Sequence, residues 1–156
     1  MVRTKLSASA ITILHDKPTF SIITKARITQ AVPENNSPAR TKCKTIRCIW
    51  DTGATSSAIS TRLARALRLK ASGQLVSYTA NGAMNCMLYY VNVQMPNGIT
   101  FTRVRASGVN LSSTVDMLIG MDVITTGDFA ITNHKGKTCM SFRAPSKERI
   151  DFVSRG

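Results

Sequence analysis

Hydrophobic positions in the first third of this 156-residue chain recur mostly at every second residue, the period of a half-buried strand. Residues 20–32, "FSIITKARITQAV", are rich in β-branched side chains and partly alternate, which predicts a strand. The loop-forming stretch "PENNSPART" (33–41) then interrupts regular structure. "CKTIRCIW" (43–50) alternates again, with Cys43, Thr45, Arg47 and Ile49 on one face and Lys44, Ile46, Cys48 and Trp50 on the other. This strand delivers Asp51 at its end. The period then changes. Ile59, Leu63, Ala66 and Leu67 recur at helical spacing while Arg62, Arg65 and Arg68 ride another face, which predicts a helix near 58–69 capped by Ser57 or Ser60.

Two Asn-Gly pairs, Asn81-Gly82 and Asn97-Gly98, are flanked by strand-like residues and suit the positive-φ pair of a tight hairpin turn. They predict pairing of 74–80 with 83–90, and of 87–95 with 99–106. "SGVNLSST" (107–114) reads as a loop, and "VDMLIGMDVI" (115–124) as a short, almost wholly apolar run leading into a turn of helix at 121–126. "DFAIT" (128–132) and "KTCMSFRA" (137–144) form a further expected hairpin across "NHKG". From Pro145 the chain is polar and reads as loose, with Ile150, Phe152 and Val153 as candidates for docking. The sum is a mostly β fold with one clear helix, organised as one domain over 20–146. Residues 1–19 precede it as an extension or first strand, and 147–156 follow as a tail. Ser and Thr dilute the apolar stretch near the N-terminus and no Ala-x-Ala site follows, so it reads as a frayed end or strand and not a signal peptide.

Composition narrows the class. A hydrophobic content of 43% lies near the globular range, and no apolar run approaches the length that crosses a bilayer. The four cysteines, Cys43, Cys48, Cys86 and Cys139, form no Cys-x-x-Cys, and His15 and His134 lie far apart, so neither zinc nor another cofactor is expected. Free thiols in a reducing, cytoplasmic setting are the simpler reading. Charge is the anomaly: 21 Lys and Arg stand against 8 Asp and Glu, a net +13. These cations are scattered and not massed in a tail or aromatic-studded patch, so nucleic-acid binding stays a secondary reading, with Arg62, Arg65 and Arg68 as its contact face.

The chemistry lies in "WDTGATSSAIS" (50–60). To cut a peptide bond without a metal or covalent intermediate, one carboxylate takes a proton from water while a second, protonated carboxyl supports the carbonyl oxygen. Two carboxyls about 3 Å apart share one proton. A glycine after the Asp-Thr pair lets the backbone turn tightly and aim amides at the carboxylate. Alone, Asp-Thr-Gly is more often just a turn. Here it ends an apolar strand, and "YTANGA" (78–83) and "MLIGMD" (117–122) follow in order.

With "IWDTGATSSAIS" (49–60), "YTANG" (78–82), "DMLIGMDVI" (116–124) and the closing "GDFAITNHKGKTCMSFRAPS" (127–146), the chain resembles the retropepsin-like aspartic proteases, particularly their small single-domain bacterial and retroelement-like members. The resemblance covers roughly residues 20–146. It implies an acid-protease fold with half an active site per chain and a homodimer as the working unit. It implies Asp51 as the catalytic carboxylate, Thr52 as a lock between the two active-site loops, Gly53 along the substrate backbone and Ala54 facing the cleft. Tyr78 would wall the substrate site, as would Met84 and Val123. Thr79, Ala80, Asn81 and Gly82 would form a flap, and Leu118, Ile119 and Gly120 would support the catalytic loop from behind. Trp50 is bulkier than the aliphatic residue expected before the Asp. Counting agrees with the dimer: Asp16, Glu34, Asp116, Asp122, Asp128, Glu148 and Asp151 all lack an Asp-Thr/Ser-Gly setting. Asp116 and Asp122 read as caps or salt-bridge partners.

The leading expectation is thus an aspartic endopeptidase acting on protein or peptide substrates, most active at mildly acidic pH, with no membrane association. Two other readings stand beside it: a catalytically silent peptide-binding or dimerising module of the same fold, and a basic nucleic-acid-associated protein.

Overall fold

A computed structural model describes residues 1–31, 42–79 and 82–154. In chain order the strands are β1 (Val2–Leu6), β2 (Ala10–His15), β3 (Ile22–Gln30), β4 (Lys44–Trp50), β5 (Ala58–Ser60), β6 (Gly73–Thr79), β7 (Gly82–Gln94), β8 (Thr100–Val109), β9 (Met117–Ile119), β10 (Asp128–His134) and β11 (Lys137–Arg143). Helix α1 (Thr61–Leu67) follows β5, and α2 (Met121–Ile124) follows β9.

Six strands close on themselves. β3 pairs with β4, β4 with β9, β9 with β5, β5 with β8, β8 with β7, and β7 returns to β3. Closure removes every free edge from this ring. The alternation read from the sequence supplies the interior: Ile22, Ala26 and Ile28 of β3 and Ile46, Cys48 and Trp50 of β4 are buried, as are Val91, Val93, Met117 and Ile119. Strand β6 hangs outside the ring, paired only to β7, as the outer arm of a hairpin.

A second sheet, in the order β1-β2-β11-β10, covers the barrel. Its inward residues Ile11, Ile13, Met140 and Phe142 are buried in the same core. Trp50 is the joint. Its ring packs against Phe142 at 4.9 Å and stacks on Phe129 at 5.6 Å, and its indole N–H donates to Thr24 Oγ1 at 3.1 Å. The bulk that looked anomalous before Asp51 therefore fills the space between barrel and sheet, where an aliphatic side chain would leave a gap.

Several boundaries differ from those the sequence predicts. The N-terminal residues form two strands, because Ile11 and Ile13 on β2 pair and pack beside β11. The expected helix at 58–69 is shorter: 58–60 is strand, Ser60 Oγ caps Leu63 N at 3.1 Å, and Arg68 closes the helix in the left-handed region at φ 53°. Residues 107–109, read as loop, continue β8 and pair in parallel with β5. Gly108 looks like a breaker, but its missing side chain admits the Tyr89 ring, 2.9 Å from where a Cβ would stand. Ile150, Phe152 and Val153 stay exposed and do not dock. The predicted loop at 33–41 lies outside the described residues.

The tail is nevertheless fastened at its root. Asp128 accepts hydrogen bonds from the Ser146 hydroxyl, the Lys147 amide at 2.9 Å and the Arg143 guanidinium. Led by Ser146, these donors hold its carboxyl well below the ordinary value of 3.8. A depressed carboxyl stabilises the fold above its unfolded-state value and loses that contribution as pH falls through the folded one. Asp128→Asn is therefore expected to lower the melting temperature at pH 6, with the gap to wild type narrowing only below about pH 4. Thermal unfolding of both proteins across pH 3–7 checks this. On the barrel side, burial, with Asp116 nearby, pushes the Cys48 thiol up to about 12, so this cysteine serves as a small core residue and not a nucleophile.

Candidate active site

β4 ends on the inner wall of the barrel, and Asp51 follows directly. Its amide donates to the Ile119 carbonyl at 2.9 Å, so the carboxylate leaves the sheet at a fixed point. The chain then turns back, with Ala54 N donating to the Asp51 carbonyl at 3.3 Å. Gly53 N donates to Asp51 Oδ1 at 2.9 Å, orienting the carboxylate and leaving Oδ2 outside that bond. A Cβ at Gly53 would stand 3.2 Å from the same oxygen and would push on the carboxylate that the Gly53 amide orients.

What fixes this turn comes from 65 residues further on. β9 lies between β4 and β5, and the chain then passes under the loop at Gly120. A side chain at Gly120 would meet Ser56 C at 2.6 Å, Ser56 O at 2.8 Å and Ser57 N at 2.9 Å, so only glycine permits this approach. The contact is stitched by hydrogen bonds: Met121 N to the Ala54 carbonyl (2.8 Å), Asp122 N to the Thr55 carbonyl (3.2 Å) and Gly120 N to Ser57 Oγ (3.1 Å). Ser57, fully buried, donates a hydrogen bond from its hydroxyl to Asp122 Oδ1 at 2.7 Å. Asp122 thus ties the loop to the start of α2, and Asp116 accepts from Arg47 N at 3.0 Å and pairs with Arg62 at 2.9 Å. Both acids hold structure, as the sequence reading favoured. The buried Ser57 was read only as a possible cap; its place in a small-residue run was the one available signal.

In front of the loop lies a cleft of about 910 Å³, bounded on the far side by the β6–β7 hairpin. Asp51, Gly53, Ala54 and Tyr78 line it, and so does Leu118, which the sequence reading had placed behind the loop. Met84 lines it too, whereas Val123 is buried in the core at 4% exposure and forms no wall. Ile119 and Gly120 lie behind the loop, and Thr52 is exposed at its tip. Thr79 and Gly82 face each other as the last described pair of the hairpin, whose apex residues Ala80 and Asn81 lie outside the described residues. Tyr78 near the apex is 83% exposed. The outer arm of this hairpin is tied to the barrel through β7 alone. Sequence reasoning missed Arg105, which enters the cleft from β8. Among the described residues no cluster of His, Cys, Asp or Glu has the arrangement of a metal site, and no helix is long and apolar enough to cross a membrane.

A closed barrel, a loop carrying Asp-Thr-Gly, an apolar strand ending in a crossing glycine and an overhanging hairpin form the retropepsin-like fold. The chain is similar to a solved structure described as a retropepsin-like aspartic protease from Rickettsia conorii, at 19% identity and a TM-score of 0.50 over 92% of this chain and 97% of that one. Comparison with curated proteins gives no match. The family model described as aspartyl protease matches residues 37–123, more than half of the chain and the part that holds the loop, the hairpin and the crossing glycine. By fold and by this match, the chain belongs to the aspartyl protease family.

Proposed function

We propose that this chain is an aspartic endopeptidase whose active site is completed by a second copy of itself. One observation carries the reading: among the described residues, Asp51 is the sole carboxylate lining the cleft. Acid–base hydrolysis of a peptide bond needs two, and a two-fold axis supplies the second from an identical loop. In the dimer the two Asp51 carboxyls share one proton. The ionised member takes a proton from water as that water attacks the peptide carbonyl carbon, while the protonated member donates to the carbonyl oxygen. The tetrahedral intermediate then collapses as a proton passes to the departing amine. Gly53 N, bonded to one carboxylate oxygen, keeps Asp51 in register for these transfers. Thr52, which is exposed, hydrogen-bonds the partner loop in this dimer. The β6–β7 hairpin closes over the peptide and excludes water.

The second sheet offers a route to pairing. β10 is its edge strand, with backbone donors and acceptors unpaired by the sheet on one side and Ile131 46% exposed. The nucleic-acid reading loses support at Arg62, which is engaged by Asp116 and is not a free cation of the helix face. Incubating the purified protein with a broad library of unstructured peptides at mildly acidic pH, and reading the products by mass spectrometry, tests the proposal. Cleavage between internal residues is expected; a library recovered intact at every pH tried would leave only a peptide-binding module.

A further inference from the structure

We propose that Arg105 is a specificity-determining residue that binds a carboxylate side chain of the polypeptide in the cleft, so that the preferred substrates are acidic. This deepens the endopeptidase reading and rests on it. The placement of Arg105 follows from the strand period. On β8, Val104, Ala106 and Gly108 turn into the barrel and are buried, which sends Arg105, Ser107 and Val109 to the other face, where all three line the cleft. Ser107 pairs with Ala58, beyond the Asp-Thr-Gly turn, and Arg105 stands two residues before Ser107 on β8, about 7 Å from it at strand spacing. Arg105 therefore shares the cleft with Asp51 but enters it from a different strand, where it can meet a side chain of the bound polypeptide.

Among the described residues, Arg105 is the only charged lining residue besides Asp51, and it makes no ion pair or side-chain hydrogen bond there. The other basic residue of its strand, Arg103, covers the Tyr90 ring at 5.2 Å and is already engaged. A cation left unpaired in a cleft loses hydration when the hairpin closes, and that cost is offset only if the ligand brings an acceptor. A carboxylate suits a guanidinium best, through two parallel charge-assisted bonds. Much of the remaining wall is apolar, with Leu75, Val76, Leu111 and Leu118, so the cleft fits a peptide that is apolar near its cut and acidic beside it. The whole-chain charge of +13 acts in the same direction, drawing acidic polypeptides in and repelling basic ones. The anomalous charge thereby acquires a role.

The test compares wild type, Arg105→Gln and Arg105→Glu on a proteome-derived peptide library. Wild type is expected to enrich Asp or Glu at a fixed distance from the cut, and to prefer a Glu-containing peptide over its Gln counterpart by about 10-fold in kcat/KM. Arg105→Gln brings that ratio to about 1, and Arg105→Glu turns the enrichment toward Lys and Arg. No acidic enrichment in wild type, or one that survives in Arg105→Gln, overturns the inference while leaving proteolysis intact. A binding arm separates the two readings. Fluorescein-labelled random dodecapeptides, with acidic residues or their amides, are titrated onto Asp51→Asn with and without Arg105→Gln. Arg105-dependent preference for the acidic pool, alongside a wild type that cuts nothing, would sustain the carboxylate site and overturn the endopeptidase; equal binding of both pools overturns the carboxylate site.

Discussion

Replacing Asp51 by Asn is expected to lower kcat by at least about 10³-fold while moving the melting temperature by no more than about 2 °C. The two halves of this result have separate causes. Asn neither takes a proton from water nor shares one with a partner carboxyl, so both the general base and the coupled pair disappear together. Structurally little changes, because the described hydrogen bond to the Asp51 side chain comes from Gly53 N to Oδ1, and an amide oxygen also accepts it, though without the charge assistance of a carboxylate. The Asp51 amide bond to Ile119 involves backbone alone and persists. Steady-state cleavage and thermal unfolding of the same preparation measure both. Retained activity would remove Asp51 from the mechanism. A large fall in melting temperature would mean that the carboxylate holds the fold, in which case lost cleavage would say nothing about chemistry.

Gly120→Ala is expected to do the reverse, damaging fold and activity together. Gly120 has φ −93°, a value any residue adopts, so backbone conformation is not the issue. The obstacle is space. The new methyl would meet three backbone atoms of Ser56 and Ser57 within 2.9 Å, and backbone has no rotamer by which to retreat. The loop and β9 must separate, which strains the bonds from Gly120 N to Ser57 Oγ and from Met121 N to the Ala54 carbonyl. Overpacking of this kind costs about 3 kcal/mol, or about 6–12 °C for a domain of this size. A shift of about 1 Å in the loop lowers kcat by about 10²-fold. Calorimetry and kinetics on the soluble variant check both, and a melting temperature within about 2 °C of wild type would refute the crossing as a structural clamp.

The catalytic half of this fold was legible because its constraints are local. Alternation along 43–50 gave the strand, Asp-Thr-Gly gave the turn, Asn81-Gly82 gave the hairpin, and the apolar run into Gly120 gave the crossing strand. What escaped depends on residues distant in sequence. Ser57 is a generic serine until Asp122 and the Gly120 amide meet it, 65 and 63 residues away. Gly108 reads as a loop residue until the Tyr89 ring needs its space. The role of Trp50 depends on Phe129 and Phe142, which belong to a different sheet. Val123 lay close enough in sequence to the supporting strand to suggest a cleft wall, but the turn of α2 points it into the core. Arg105 was one of many scattered cations, and only the strand period combined with the barrel's closure distinguishes it.

The central claim is that each chain holds half a site, and subunit mixing tests it most directly. Wild-type and Asp51→Asn chains are combined in varying proportion at constant total concentration, allowed to exchange, and assayed. If two Asp51 residues complete one site, mixed dimers are inactive and cleavage falls as the square of the wild-type fraction, to about a quarter when half the chains are wild type. A linear fall, to about half at that point, would mean that each chain works alone and would contradict the account.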